Sequence, residues 1–412
     1  MKFTVLLLLT ALIFFPETSL DTSIAIDKNS LHSVYLYRVH GLALSDWIII
    51  ALSLIVFVHT LIAKKGYLGI IKPILIVYLL YLMLGLVFNL SVNLDSKAFL
   101  YDFKVFLFLL IPYLSLSIIN YKITIHNKNT IKRVLILLIA GSVLDAFYIS
   151  YAGGAEYVSQ LGLPLILALA PIPLLVGFWY YFKPRKHSFG FLSFEFLSSY
   201  NRTSLGSLLW GSLSIVWIFL LNLGLKFKSK VIIMTFIYYF IVVILPLLVM
   251  FVFSDLVGFK KDGMEIRRIE VVNFIENSTN NIPIVIGKGL GSTWKEVVQP
   301  KSSNVYSKGA HLNSEYNFIW HNTLAGSFYK FGIFGSLFLI VYLSTISVRL
   351  YKISKITKNN IGMFVAFSIP AYVMLNVNGP GILKGALISS LLLYVADQIL
   401  KRHRGDLYDL DK

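Results

Sequence analysis

The residues best suited to chemistry gather in one polar stretch, residues 255–325, of an otherwise apolar sequence. The stretch ends on Trp320-His321-Asn322, directly before an apolar run that begins near Ala325. Histidine is the side chain whose ordinary pKa suits proton transfer near neutral pH, so His321 is a candidate general base; a solvated anchor at a membrane rim is the plainer alternative. Glu315 and His311 lie in the same stretch and are the fallback bases. Asn322 can orient the imidazole or cap the following helix. Further back, Gly287-Lys288-Gly289-Leu290-Gly291-Ser292 sets glycines at alternate positions, with Gly289 and Gly291 at its centre. Such spacing lets backbone amides point at an anion, and a tight turn is the competing reading. The motif does not follow a strand and open a helix, so a dinucleotide fold is not supported. Apolar residues at 266, 269, 272 and 275 predict a short amphipathic helix, suited to lying on a membrane surface and carrying Arg267 and Arg268.

Metal and thiol chemistry are not expected. The chain has no cysteine, which excludes disulfides, thiolate catalysis and cysteine metal sites. A metal held by paired carboxylates needs an Asp-x-Asp type of spacing. The polar stretch has none; Asp409-Leu410-Asp411 has it, but in the expected cytoplasmic tail.

The elements that must position these residues follow from composition. Of 412 residues, 57% are hydrophobic and only 14% charged, well below the roughly 25% charged of average soluble proteins. The apolar residues form long runs, the pattern of repeated membrane spans. About twelve runs are long enough, at approximately 4–15, 46–63, 70–90, 101–119, 134–151, 161–182, 188–199, 203–224, 231–254, 326–348, 361–378 and 380–400. The first could instead be the apolar region of a signal peptide, although no convincing cleavage site precedes Asp21. A net charge of +17 would suggest nucleic acid in a soluble protein. Here the basic residues sit between apolar runs, where they set topology, and no nucleic-acid partner is expected. With the amino terminus inside, every short inside loop is basic and the short outside loops are nearly bare. The predicted fold is therefore all-α: a single polytopic membrane domain over 1–412, both termini cytoplasmic, with residues 255–325 as one large extracytoplasmic loop.

The basic clusters also place Arg202. Lys183-Pro184-Arg185-Lys186 and Lys226-Phe227-Lys228-Ser229-Lys230 are both assigned inside, so the chain between them must cross twice. One helix over 189–224 would be about 54 Å long, too long for a single crossing. Tyr200-Asn201-Arg202-Thr203-Ser204 then forms the outer tip of a hairpin. Lys104, Lys330 and Lys384 fall within spans, and Lys104, Asp102, Asp145 and Lys384 read as scattered charges with no matching halves. Paired charges or repeat-related halves would instead suggest a transporter.

His321-Asn322, nine intervening residues, then Gly332-Ile333-Phe334-Gly335 fits the pattern H-[NSQ]-x9-G-x-x-[GTY], which resembles the bacterial O-antigen ligase and polymerase superfamily. Like that family, the chain carries the pattern at the end of its largest external loop. Arg268-Ile269-Glu270, Pro283 and Gly287-Lys288-Gly289 look like the family's arginine-led helix, proline and Gly-x-Gly stretch, with Arg267 as the competing arginine. Ser199-Tyr200-Asn201-Arg202-Thr203 is similar to its Ser/Thr-x-Arg tip, apart from the residue preceding arginine. The likeness covers about residues 190–350.

The resemblance implies transfer of a glycan from undecaprenyl diphosphate to an acceptor hydroxyl on the outer side of the cytoplasmic membrane, without cofactor or metal. Arg202 and Arg268 would neutralise the leaving diphosphate through bidentate hydrogen bonds. His321 would accept the proton of the attacking hydroxyl, and Asn322, Arg267, Gly289, Gly291 and Glu315 would contact substrate. If the arginines lack this role, Arg202 snorkels to headgroups or pairs with Glu195, and Arg267 and Arg268 bind anionic lipid. The acceptor is another carrier-linked glycan, making the protein a polymerase, lipid A-core, making it a ligase, or a protein, as in a glycosylating relative. Polymerase is the weak preference, because it needs only carrier-lipid substrates. Membrane lipid and other polysaccharide-assembly proteins are the expected neighbours.

Overall fold

The computed structural model describes residues 38–39, 42–63, 68–90, 96–118, 261–278, 282–298, 316–317, 323–369, 373–378 and 383–403. The spans expected at 4–15 and between 134 and 254, with the Arg202 hairpin, lie outside the described residues.

The described chain is mostly helical. A two-residue ribbon, β1 (Arg38–Val39) against β2 (Leu42–Ala43), leads into α1 (Leu44–Ala63). A short 3-10 turn at Gly69–Ile71 opens α2 (Lys72–Leu90), followed by α3 (Ser96–Ile118). The polar stretch contributes α4 (Lys261–Asn277), α5 (Ile282–Ile286), β3 (Trp294–Lys295) and β4 (Tyr316–Asn317). Then come α6 (Thr323–Ile356), α7 (Asn360–Ser368), α8 (Met374–Asn378) and α9 (Leu383–Arg402).

Among the described residues, three stretches are long and apolar enough to cross a membrane: Gly69–Phe88, Ala98–Ile118 and Ala325–Ile356. The chemistry of α2 shows why. Ile74, Leu75, Tyr78 and Leu82 are buried on one face, yet Ile76, Leu79, Leu80, Met83 and Val87 are exposed on another. A helix apolar on both faces suits a lipid surround, whereas in water its outer stripe would cost free energy in proportion to its area. The core joins Leu52 of α1, Val105 and Leu109 of α3, Leu339 and Leu343 of α6, and Leu387 and Leu393 of α9.

Two expected spans are not single regular helices. The run predicted at 361–378 is divided into α7 and α8, with Pro370 falling between them. Proline has no amide with which to continue a helical ladder, although Ile369 before it keeps helical backbone, with φ of −61° and ψ of −57°. The run predicted at 326–348 is longer, and α6 is interrupted at Gly332, whose φ of 62° and ψ of −176° are non-helical. This region of backbone space is essentially restricted to glycine. A Cβ on Gly332 would also collide with the backbone of residues 285–287. The spacing of Gly332 and Ser336 suggests close helix–helix packing, but Gly332 instead admits a loop against the helix. Ser336 bonds Ser327 across the interruption, Oγ to Oγ at 2.7 Å.

Candidate functional site

The interruption at Gly332 has a direct consequence for the glycine loop. A regular helix would spend the carbonyls of Tyr329 and Lys330 on amides one turn later, and the break releases them. The loop takes them up. Lys288 N–H donates to Tyr329 O at 2.8 Å and Gly289 N–H to Lys330 O at 2.9 Å. The next two amides turn the other way: Leu290 N–H donates to Tyr81 O of α2 at 2.8 Å, and Gly291 N–H to Asp102 Oδ2 of α3 at 2.6 Å. Gly287, Gly289 and Gly291 have φ of 87°, 83° and 81°, so the backbone reverses at alternate residues and can serve both sides. Gly85 and Gly289 meet backbone to backbone, a contact that a side chain on either would prevent. The loop is thus a wedge between α6 and the α2–α3 pair, with four of its amides bonded within the chain.

The anion met by one loop amide is an internal one. Asp102 is fully buried, and its two carboxylate oxygens each lie 2.8 Å from Lys330 Nζ, which is 3% exposed. Read from sequence, Asp102 is one of several scattered charges and Lys330 a lysine within a span; the fold pairs them. The signal was available, because a lysine two residues before Gly332 in an apolar run requires a partner once removed from water.

On its other side the loop presents Lys288. Its Nζ donates to Tyr329 Oη at 2.9 Å and stands 4.8 Å from that ring's centroid. Tyr329 Oη in turn donates to Thr293 O at 2.9 Å, and Phe274 of α4 meets the tyrosine ring edge-on at 6.4 Å between centroids. Burial lowers the Lys288 pKa below the ordinary lysine value.

The helix carrying the arginines is held by two asparagines one turn apart. Asn273 Oδ1 accepts from Val298 N at 2.8 Å while its Nδ2 donates to Val298 O at 3.0 Å. Asn277 repeats the pattern on Lys295, with Oδ1 to N at 2.9 Å and Nδ2 to O at 2.7 Å. Each side-chain amide satisfies both backbone groups of one residue as a neighbouring peptide would. Among the described side chains of α4, Ile269, Glu270 and Asn273 are buried, while Ile275 is 57% exposed. Of the expected apolar stripe, Ile269 is buried, Val272 half-buried and Ile275 exposed, and the Ile266 side chain lies outside the described residues; the paired amides of Asn273 and Asn277 bind the helix to its neighbour. Glu270 lies close enough to Glu296 for their charges to interact. Burial first, and then Glu270, raise the Glu296 pKa above the ordinary carboxylate value.

Arg267 and Arg268 are on α4, their side chains outside the described residues; Gly289 and Gly291 are in the wedge. Arg202, Glu315, His321 and Asn322 also lie outside the described residues. The chain on either side of His321 is described: β4 pairs antiparallel with β3, Asn317 opposite Trp294, and α6 begins at Thr323. The fold thus joins the arginine helix, the glycine wedge and both flanks of the histidine. Sequence reasoning missed Asp102, Lys330, Lys288, Tyr329, Asn273 and Asn277. For the asparagines no sequence signal exists, since their partners are backbone atoms of a segment 18 to 25 residues away. Compared with known proteins, the chain matches no family model, no curated protein and no solved structure.

Proposed function

We propose that the protein transfers a glycan from a polyprenyl-diphosphate carrier to a sugar hydroxyl at the extracytoplasmic face of a membrane. In this reading about twelve spans place both termini in the cytoplasm and residues 255–325 outside. The observation that supports it most is convergence: the glycine wedge bonds α6 and the facing ends of α2 and α3, α4 packs against α6 and β3, and β3 pairs with β4. These are the segments that carry or flank Arg268, the Gly-x-Gly stretch and His321, and up to about fifty residues separate them in sequence.

The acceptor hydroxyl oxygen attacks the anomeric carbon as the bond from that carbon to the diphosphate oxygen breaks. His321 takes the hydroxyl proton, and Arg202 and Arg268 neutralise the departing diphosphate. Polymerisation onto a second carrier-linked glycan is the preferred outcome, and ligation to lipid A-core the alternative. The test is transfer from a purified lipid-diphosphate-linked glycan in EDTA. His321→Ala is expected to lose about 10²–10⁴-fold in rate while remaining in the membrane. Arg202→Lys and Arg268→Lys are each expected to be damaging, because lysine keeps the charge but not the bidentate fork. Full activity in both lysine variants defeats the clamp, and loss of wild-type activity in EDTA defeats a metal-free mechanism.

One observation favours a second reading. A buried Asp102–Lys330 pair between two apolar helices, with α6 interrupted beside it, is the type of feature that marks a transporter's ion path. Its bond to Gly291 and the near-complete burial of both residues also suit a structural tie. Retention of glycan transfer by a variant that neutralises the pair together would separate the two.

A further inference from the structure

The wedge has two lysines beside it, and only one is neutralised by the described chain. Lys330 has both oxygens of Asp102. Lys288 has a tyrosine. We propose that Lys288 binds a phosphate oxygen of a phosphate-bearing lipid, which in the transferase reading, on which this inference rests, is the diphosphate of the glycan donor.

The geometry leaves Lys288 this capacity. Tyr329 Oη uses its own hydrogen on Thr293 O, so toward Lys288 it can only accept. One of the three ammonium N–H bonds is spent there, and two remain. Among the described residues no carboxylate pairs with Lys288, and Asp102, across the wedge, already serves Lys330 and Gly291. The tyrosine face supplies electrostatic attraction to the cation but no compensating negative charge. A half-buried ammonium therefore carries a desolvation cost that an incoming anion would offset, consistent with the lowered Lys288 pKa.

Position agrees with this role. The amides of 288–291 are all bonded within the chain, so the ammonium is what this part of the loop offers to an anion. Tyr329 beneath it also meets Phe274 of α4, the helix that carries Arg267 and Arg268. Lys288 thus stands where the arginine helix meets α6. As a point charge on a fixed aromatic seat it needs no planar fork, so arginine should replace it tolerably and a neutral amide should not.

The test uses the purified full-length protein in phosphatidylcholine nanodiscs, with undecaprenyl diphosphate, undecaprenol and phosphatidylglycerol as probes. Wild type is expected to prefer undecaprenyl diphosphate over undecaprenol. Lys288→Gln should weaken the diphosphate by about 10- to 100-fold, the range for a lost hydrogen bond to a charged group, and leave undecaprenol unchanged. Lys288→Arg should stay within about threefold of wild type. A second readout needs no variant: undecaprenyl diphosphate should protect Lys288 from amine acylation, read by peptide mass spectrometry, and undecaprenol should not. Unchanged diphosphate affinity in Lys288→Gln, equal losses for diphosphate and undecaprenol, or no protection in wild type would each overturn the proposal. Displacement by equimolar phosphatidylglycerol would assign the site to lipid headgroups and overturn the donor. If wild type binds diphosphate no better than undecaprenol, the transferase reading itself fails, a result distinct from the others.

Discussion

The two faces of the glycine wedge use the same residue type to opposite ends. On the inner face Lys330 and Asp102 are sealed between apolar helices and complete each other, with one further bond to Gly291. On the outer face Lys288 rests on Tyr329, and Glu296 stands beside Glu270, a like charge. The inner pair ties α3, α6 and the loop together. The outer groups are electrostatically unsettled, and that is the condition in which a side chain can respond to a ligand. Burial alone does not separate the two, since Lys288 and Glu296 are themselves largely shielded. What separates the two lysines is that Lys330 has both oxygens of Asp102, whereas among the described residues no carboxylate pairs with Lys288. Groups strained by their surroundings are better functional candidates than groups merely hidden by them.

The largest expected effect breaks the inner face. Lys330→Met leaves Asp102 buried without its counter-charge, which should cost about 3–5 kcal/mol and reduce the yield of monodisperse protein after detergent extraction. The double variant Asp102→Asn/Lys330→Met removes both charges and keeps an oxygen for Gly291 N–H. It should recover most of the stability, since replacing a buried pair together is often close to neutral. Equal losses in single and double variants would mean that shape rather than charge matters there.

Next is the backbone that joins the faces. Gly332→Ala puts a Cβ into a glycine-only conformation and against residues 285–287. The conformational part alone costs about 1–3 kcal/mol. Hydrogen exchange at the amides of Lys288 and Gly289, whose acceptors flank the break, should accelerate more than exchange in α9.

Asn273→Ala removes two bonds between α4 and Val298 and should cost about 1–3 kcal/mol, confined to the outer lobe. Proteolysis near residues 294–298 should increase while the apolar helices remain resistant. If the helices loosen equally, the outer lobe is not a separable layer.

The smallest effect concerns Glu296. Its folded pKa is raised, so its favourable contribution is complete below the unfolded carboxylate pKa and is lost as pH rises through the folded value. Glu296→Gln should therefore raise the thermal midpoint at neutral pH by about a degree or two, and the gain should shrink as pH falls and wild type takes up its proton. A gain independent of pH would attribute it to packing.

Much of this architecture can be read from the chain itself. Long apolar runs specify membrane helices because hydrocarbon leaves the backbone no partner but its own. The runs at 70–90, 101–119 and 326–348 reappear as helices with ends shifted by several residues. The helix bearing Arg267 and Arg268 was legible from its periodicity, although not the face it buries. The motif at His321 is a local spelling, visible without structure.

Only the tertiary structure decided the rest, and for one reason. Glycines at 287, 289 and 291 state that the backbone can reverse, but not what its amides will meet; Tyr329, Lys330, Tyr81 and Asp102 come from three other helices. Asp102 and Lys330 are 228 residues apart. A lysine in an apolar run announces that it needs a partner, but nothing local says which residue that partner will be. Hydropathy is a property of each segment and survives in one dimension, whereas the partner of a charge is a property of packing and exists only once the helices have met.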